Sequence, residues 1–161
     1  MRKFATAAAI TAMLVLSACE EEVPNSTYGQ QETEGVIEGL TVSNARMVLA
    51  PVEGNPAAIY MDIAYSGETG VAVSGVEIEG AGSAVVHNTM PWGDGTEMEE
   101  AGPVALASGQ EKSFEPGGTH IMVMEPSADL KPGGKVKGTF KIVGARTHNF
   151  EAEIKAAGEE R

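Results

Sequence analysis

From Gly35 onward, apolar residues come in short runs that alternate with polar ones and are cut by turn residues. Residues 58–65 show it best: Ala58, Tyr60, Asp62 and Ala64 interleave with Ile59, Met61, Ile63 and Tyr65. That is the two-residue period of a strand with one buried face. The same pattern predicts strands over 36–42, 45–50, 71–73 and 76–78 on either side of Gly75, and 84–87. Further strands are expected over 111–114, 119–124, 135–143 and 148–154. Clusters such as Glu53-Gly54-Asn55-Pro56 and Gly80-Ala81-Gly82 supply the breaks, and residues 88–95 read as a loop. No stretch of the domain carries a sustained helical period with caps, and there is no internal repeat. Strands every 8–12 residues with turn signals between them predict an all-β sandwich or barrel.

The chain before residue 35 follows another pattern. Arg2 and Lys3 precede an apolar-leaning run from Phe4 to Leu16. That run is too short to span a hydrocarbon layer of ~30 Å comfortably, and it reads as a signal peptide. Its ending, Leu16-Ser17-Ala18-Cys19, resembles the bacterial lipobox. The resemblance implies cleavage before Cys19 and a lipid on its thiol, which anchors the chain through about 0.8 kcal/mol per buried CH₂. Residues 20–34 are acidic and lack apolar periodicity, as a tether would. The expected organisation is a signal peptide over 1–18, a lipidated Cys19 with a tether to residue 34, and one domain over 35–158. The expected location is the bacterial cell envelope, lipid-anchored and facing the periplasm.

Composition then removes several kinds of chemistry. Cys19 is the only cysteine, so a lipidated chain has no disulfide, thiolate ligand or nucleophilic Cys in its domain. Loss of Arg2 and Lys3 with the first eighteen residues takes the formal charge from −12 to −14, which repels nucleic acid. No nucleophile–base–orienter pattern is visible, so no enzyme is expected. A blue-copper electron carrier fails as well, because that centre needs a Cys thiolate.

What remains is a spaced set of soft donors: His87-x10-Met98-x21-His120-x-Met122. Thioether sulfur is a poor ligand for zinc, magnesium or calcium and a good one for Cu(I), which imidazole also suits. Thioethers need no deprotonation and survive where thiols oxidise. On a strand, His120, Met122 and Met124 share one face, with Ile121 and Val123 towards the core. His120 and Met122 are then expected on a solvent or rim face, after a sharp Gly117-Gly118 turn. A hairpin across residues 88–95 could bring His87 to Met98, and the gap from Met98 to His120 leaves room for two more strands. A single Met on a strand more often fills a core, and Met47 and Met61 are assigned there. Met90 and Met124 are either accessory sulfur ligands or packing residues. Trp92 either shields the metal, its ring over the cation, or anchors a loop. His148 reads as part of a turn unconnected with the set.

The four-residue pattern matches, without gap or substitution, the signature of the PCuAC family of periplasmic copper chaperones. Ala58-Ile59-Tyr60-Met61-Asp62-Ile63 looks like that family's early strand, residues 117–124 resemble its second ligand segment, and Leu130-Lys131-Pro132-Gly133-Gly134 the turn after it. The resemblance spans roughly residues 36–154. It implies a cupredoxin-like Greek-key β-sandwich or barrel holding one Cu(I) through His87, Met98, His120 and Met122. It also implies delivery of copper to the CuA centre of cytochrome c oxidase, directly or through a Sco-type thioredoxin-like factor. A copper buffer or resistance lipoprotein with no dedicated acceptor is the alternative. The lipobox departs from many relatives, which are free in the periplasm. Residues 155–161 do not resemble the His/Met-rich C-terminal tail of some relatives, so the second, Cu(II)-type site that such a tail implies is not expected.

Overall fold

The computed structural model describes residues 35–93 and 95–159. The expected signal peptide, Cys19 and the acidic tether lie outside the described residues. Ten strands follow one another: β1 (Leu40–Val48), β2 (Ala57–Tyr65), β3 (Val71–Ile78), β4 (Ala81–Trp92), β5 (Gly95–Glu100), β6 (Val104–Leu106), β7 (Gln110–Phe114), β8 (His120–Pro126), β9 (Lys135–Ile142) and β10 (Arg146–Lys155). They form one mixed sheet in the order β5-β4-β8-β2-β1-β10-β9-β3-β6. Among the described residues, all pairings are antiparallel except β1 with β10. One side of β2 is shared: β8 pairs its first residues and β7 its last. The sheet folds back so that β3 lies against β4, giving the sandwich with the core between its layers.

Alternation fills that core. Along β2, Ala57, Ile59, Met61, Ile63 and Tyr65 are buried, and along β9, Val136, Phe140 and Ile142. Met47 and Met61 are fully enclosed, as expected of core methionines. Phe150 on β10 crosses over Gly138 of β9 and packs on Phe140 with ring centroids 4.7 Å apart. A Cβ at Gly138 would collide with the Phe150 ring, so only glycine permits this approach.

Three expectations are corrected. Segments 36–42 and 45–50 are not two strands: residues 40–48 form the single strand β1, whose register shifts between Ser43 and Arg46. Asn44 holds a left-handed φ of 54° at that bulge, a conformation Asn tolerates, and the strand resumes beyond it. Gly75 likewise marks a register shift inside β3, not a break. The expected loop at 88–95 is mostly ladder, because β4 runs on to Trp92 and pairs up to there with β5, which begins at Gly95. Gly, Pro and Asn in that stretch lower strand propensity, but pairing with β5 offsets it. The short β6 gave no local signal.

Candidate metal centre

β4 is the axis of the site. It pairs with β8 so that His87 faces His120 and Val85 faces Met122. On its other side it pairs with β5, where His87 faces Glu100 and Thr89 faces Met98. Cross-strand partners share a face, and so do residues two apart. His87, Met98, His120 and Met122 therefore all stand on one face of the β5–β4–β8 edge. Val86, Ile121 and Val123 occupy the other face and are buried in the core.

The two imidazoles come together. Their ring centroids are 6.0 Å apart with the planes at 77°. With metal–nitrogen bonds of about 2 Å, that separation lets one nitrogen from each ring meet a single ion. The Gly117 turn, φ 79°, sets the entry to β8. The Gly118 carbonyl then accepts from Thr89 N–H at 3.3 Å and lies 3.0 Å from His120 Nδ1. A carbonyl only accepts, so Nδ1 carries the hydrogen, and in the neutral ring Nε2 is the nitrogen with a lone pair for a metal. Thr119 Oγ1 donates to Asn88 Oδ1 at 2.8 Å and ties the same turn to β4. His87 Nδ1 is buried and has no hydrogen-bond partner among the described residues. Such an orphan costs about 1–3 kcal/mol, a cost that a bound cation would relieve.

His120 is not on a rim. It is only 6% exposed, with the Tyr60 ring 6.3 Å away and His87 on its other flank. Met122 is half-buried beside it. Met98 is 55% exposed on the outermost strand. By register, the two thioethers sit on opposite diagonals of His87, each about 7–8 Å away at the backbone, so Met98 must lean inward from the hairpin to share an ion. Met124 follows Met122 on the same face and is 38% exposed. Met90 lies one residue from Thr89 and so points to the opposite face, away from the imidazoles. Of Trp92 only the backbone position is described, at the end of β4 opposite Gly95. His148 is remote from the site and not in a turn: it lies within β10, buried, its Nδ1 accepting from Ile37 N–H at 3.0 Å. Among the described residues, no three His, Cys, Asp or Glu side chains gather as a metal cluster. What this face offers a metal is two imidazoles and two thioethers.

Tyr60 and Arg46 were not singled out in the sequence. Arg46 lies over the Tyr60 ring, 5.3 Å from its centroid, so a guanidinium, an aromatic ring and His120 follow in line. The β1 bulge places Arg46 there. Asn44 in the bulge donates to Asp62 Oδ2 at 2.7 Å, and Ser113 donates to Oδ1 at 2.7 Å. These two bonds, with a smaller contribution from Arg46, hold the Asp62 carboxyl below its ordinary value. An aromatic at 60 among Ala58, Asp62 and Ala64 was the one visible signal. Its nearness to His120 depends on the β2–β8 pairing, which no local pattern carries.

Comparison with known proteins extends this geometry. The family model described as "Putative lipoprotein LpqE-like" matches residues 40–154. A curated relative, "Putative lipoprotein Lxx21020" of Leifsonia xyli subsp. xyli (strain CTCB07), is 31% identical over 153 residues, covering 93% of this chain and 87% of its own. Among solved structures, the apo PCuAC domain from PmoF1 superposes with a TM-score of 0.62 at 27% identity, covering 75% of this chain and 97% of that one. The CuI form of DR1885 from Deinococcus radiodurans gives 0.60 at 22% identity, covering 83% and 89%. The fold is that of PCuAC domains. Lipoprotein membership gives a membrane-anchored location facing the periplasm. The chain belongs to the LpqE-like lipoproteins and carries the cupredoxin-like β-sandwich of the PCuAC periplasmic copper chaperones.

Proposed function

We propose that this protein is an extracytoplasmic chaperone, tethered through Cys19, that binds one Cu(I) through His87, Met98, His120 and Met122 and hands it to an acceptor protein. The observation that carries the reading is the His87–His120 pair, 6.0 Å apart, on the face that also bears Met98 and Met122. The orphaned His87 Nδ1 supports it, and so does the likeness to a domain whose structure is of a CuI form. Two imidazoles and two thioethers satisfy Cu(I) without favouring harder ions. Buried His120 and half-buried Met122 hold the ion, while exposed Met98 leaves it open to exchange. That asymmetry suits carriage better than a copper buffer, which gains from enclosing its metal. The acceptor in this reading is the CuA centre of a respiratory oxidase or a Sco-type thioredoxin-like assembly factor.

Competition with a Cu(I) chelator tests the shell. One equivalent of Cu(I) is expected to bind in preference to Zn(II). Unchanged affinity in both Met98→Leu and Met122→Leu would show that the shell is wrongly drawn. Deletion of the gene at low copper separates the two roles. Reduced CuA loading is expected of a carrier, whereas normal loading with lowered copper tolerance would identify a buffer.

A further inference from the structure

β5 ends the sheet. All six of its residues are exposed, and among the described residues its backbone pairs with β4 alone. A free edge is a template for another strand unless charge, proline or a bulge blunts it. Here the blunting is by charge of one sign. Glu97 and Glu99 flank Met98, and Glu100 follows opposite His87. Residues 81–100 contain four acids and no Lys or Arg, whereas residues 131–155 contain six Lys or Arg against two acids. The molecule is therefore electrically lopsided, with its negative end at the exposed methionine.

This arrangement selects an occupant. Edge-to-edge pairing of two β5 strands would set glutamates against glutamates, where like charges repel. An anionic lipid surface is repelled for the same reason. A protein whose own rim carries Lys or Arg is attracted, and attraction of this kind raises association rates by about 10–10³ at low salt. Metal exchange adds a steric condition. An incoming donor reaches the ion where the shell is thinnest, and that is Met98 rather than His120 or Met122.

We propose that the outer edge of β5 is the docking surface for the protein that takes Cu(I) from this site, that this partner presents a Lys/Arg-bordered metal site, and that Met98 is the first ligand it displaces. The inference rests on the Cu(I) reading above. Transfer is a ligand exchange at constant oxidation state: one donor–copper bond forms as the Met98 sulfur–copper bond breaks, and no electron moves.

The test uses the full chain in uncharged detergent, loaded with one Cu(I), and two synthetic peptides. Both carry the same Cys-Gly-Gly-Cys site, flanked by lysines in one and glutamates in the other. Chelator competition comes first: if no Cu(I) binds, the functional reading fails and this inference with it. With binding intact, transfer to the Lys-flanked peptide should be about tenfold faster or more at low salt. Most of that preference should vanish by 0.5 M NaCl, as screening shortens the reach of the charges. E97Q/E99Q/E100Q should lose most of the preference at unchanged Cu(I) affinity. E38Q/E68Q/E79Q removes the same charge from exposed positions elsewhere and should keep it. Equal behaviour of the two triple variants would overturn the docking surface while leaving Cu(I) carriage intact. Sedimentation of the loaded chain addresses the remaining occupant. A second copy docking its cationic β9–β10 side onto β5 would appear as a dimer lost in E97Q/E99Q/E100Q, and would also overturn the proposal.

Discussion

The two ends of the sheet solve opposite problems. On β9, β10 and β3, outward lysines meet glutamates: Lys135 with Glu151, Lys141 with Glu77, and Lys155 with Glu153. Beneath them Phe140 and Phe150 interlock over Gly138, and Val136, Ile142 and Ile154 close the core. At the β4–β5 end the outward residues are glutamates without a cation among them, thioethers and an imidazole with an unsatisfied nitrogen. Soft donors left half in solvent add little to folding. The far end supplies stability, and so lets the near end keep groups that do little for each other and that, in the proposed function, bind the metal.

Phe140→Ala gives the largest break in that comparison. The ring is fully buried and its removal leaves a cavity between β9 and β10, so a loss of about 3–5 kcal/mol is expected in urea unfolding. That is a large part of a small domain's total of about 5–15 kcal/mol. Cu(I) affinity of the folded fraction should not move. A parallel fall in affinity would mean that the two ends are not separable.

Met122→Leu and Met98→Leu should do the reverse. Leu nearly conserves volume, so stability should change by less than about 1.5 kcal/mol. Cu(I) affinity should drop at least about tenfold, ~1.4 kcal/mol, with the deeper loss at half-buried Met122. Chelator competition and urea unfolding on the same preparations measure both sides of the contrast.

The far end was the more legible of the two in the sequence. Residues 135–143 and 148–154 alternate plainly, and β9 and β10 fall within a few residues of those spans. A local period suffices there because neighbours in sequence are neighbours in the sheet. The soft-donor pattern was equally plain as chemistry. Its geometry was less so, because it rests on register between β4, β8 and β5. Asn, Pro and Gly in residues 88–95 spoke for a loop, and only the partner strand overrules them. His120 was expected at a rim, since the period of β8 gives its face but not what covers that face. Tyr60 flanks it, from a strand sixty residues away.

His148 sharpens the contrast by pH. Burial holds its imidazole below the ordinary value of 6.5, and its neutral Nδ1 accepts from Ile37 N–H. A base whose folded pKa is depressed binds its proton more readily when unfolded. Its stabilisation is therefore complete above about pH 6.5 and declines as pH falls from there towards the lower folded value. Urea midpoints at pH 7.5, 6.5 and 5.5 should decline on the acid side. His148→Asn keeps an acceptor for Ile37 without titrating and should show a flatter profile. Identical slopes in the two proteins would assign the acid sensitivity elsewhere.

Arg46→Met is expected to have the smallest effect, and it probes the border between the two ends. Arg46 lies over Tyr60, and Tyr60 lies against His120, so the guanidinium is two contacts from the proposed ion. Methionine keeps an apolar stem on the ring and removes the cation. The cation–π contact contributes about 0.5–1 kcal/mol. Part of that is returned by relieving Arg46 Nε, which is buried without a hydrogen-bond partner among the described residues. Net stability should therefore shift by less than about 1 kcal/mol, and Cu(I) affinity by less than about threefold, ~0.7 kcal/mol. Urea unfolding and chelator competition read the two quantities. A tenfold loss of affinity at unchanged stability would put Arg46 and Tyr60 inside the metal centre as positioning residues, and the boundary between scaffold and site would move from β8 to β1.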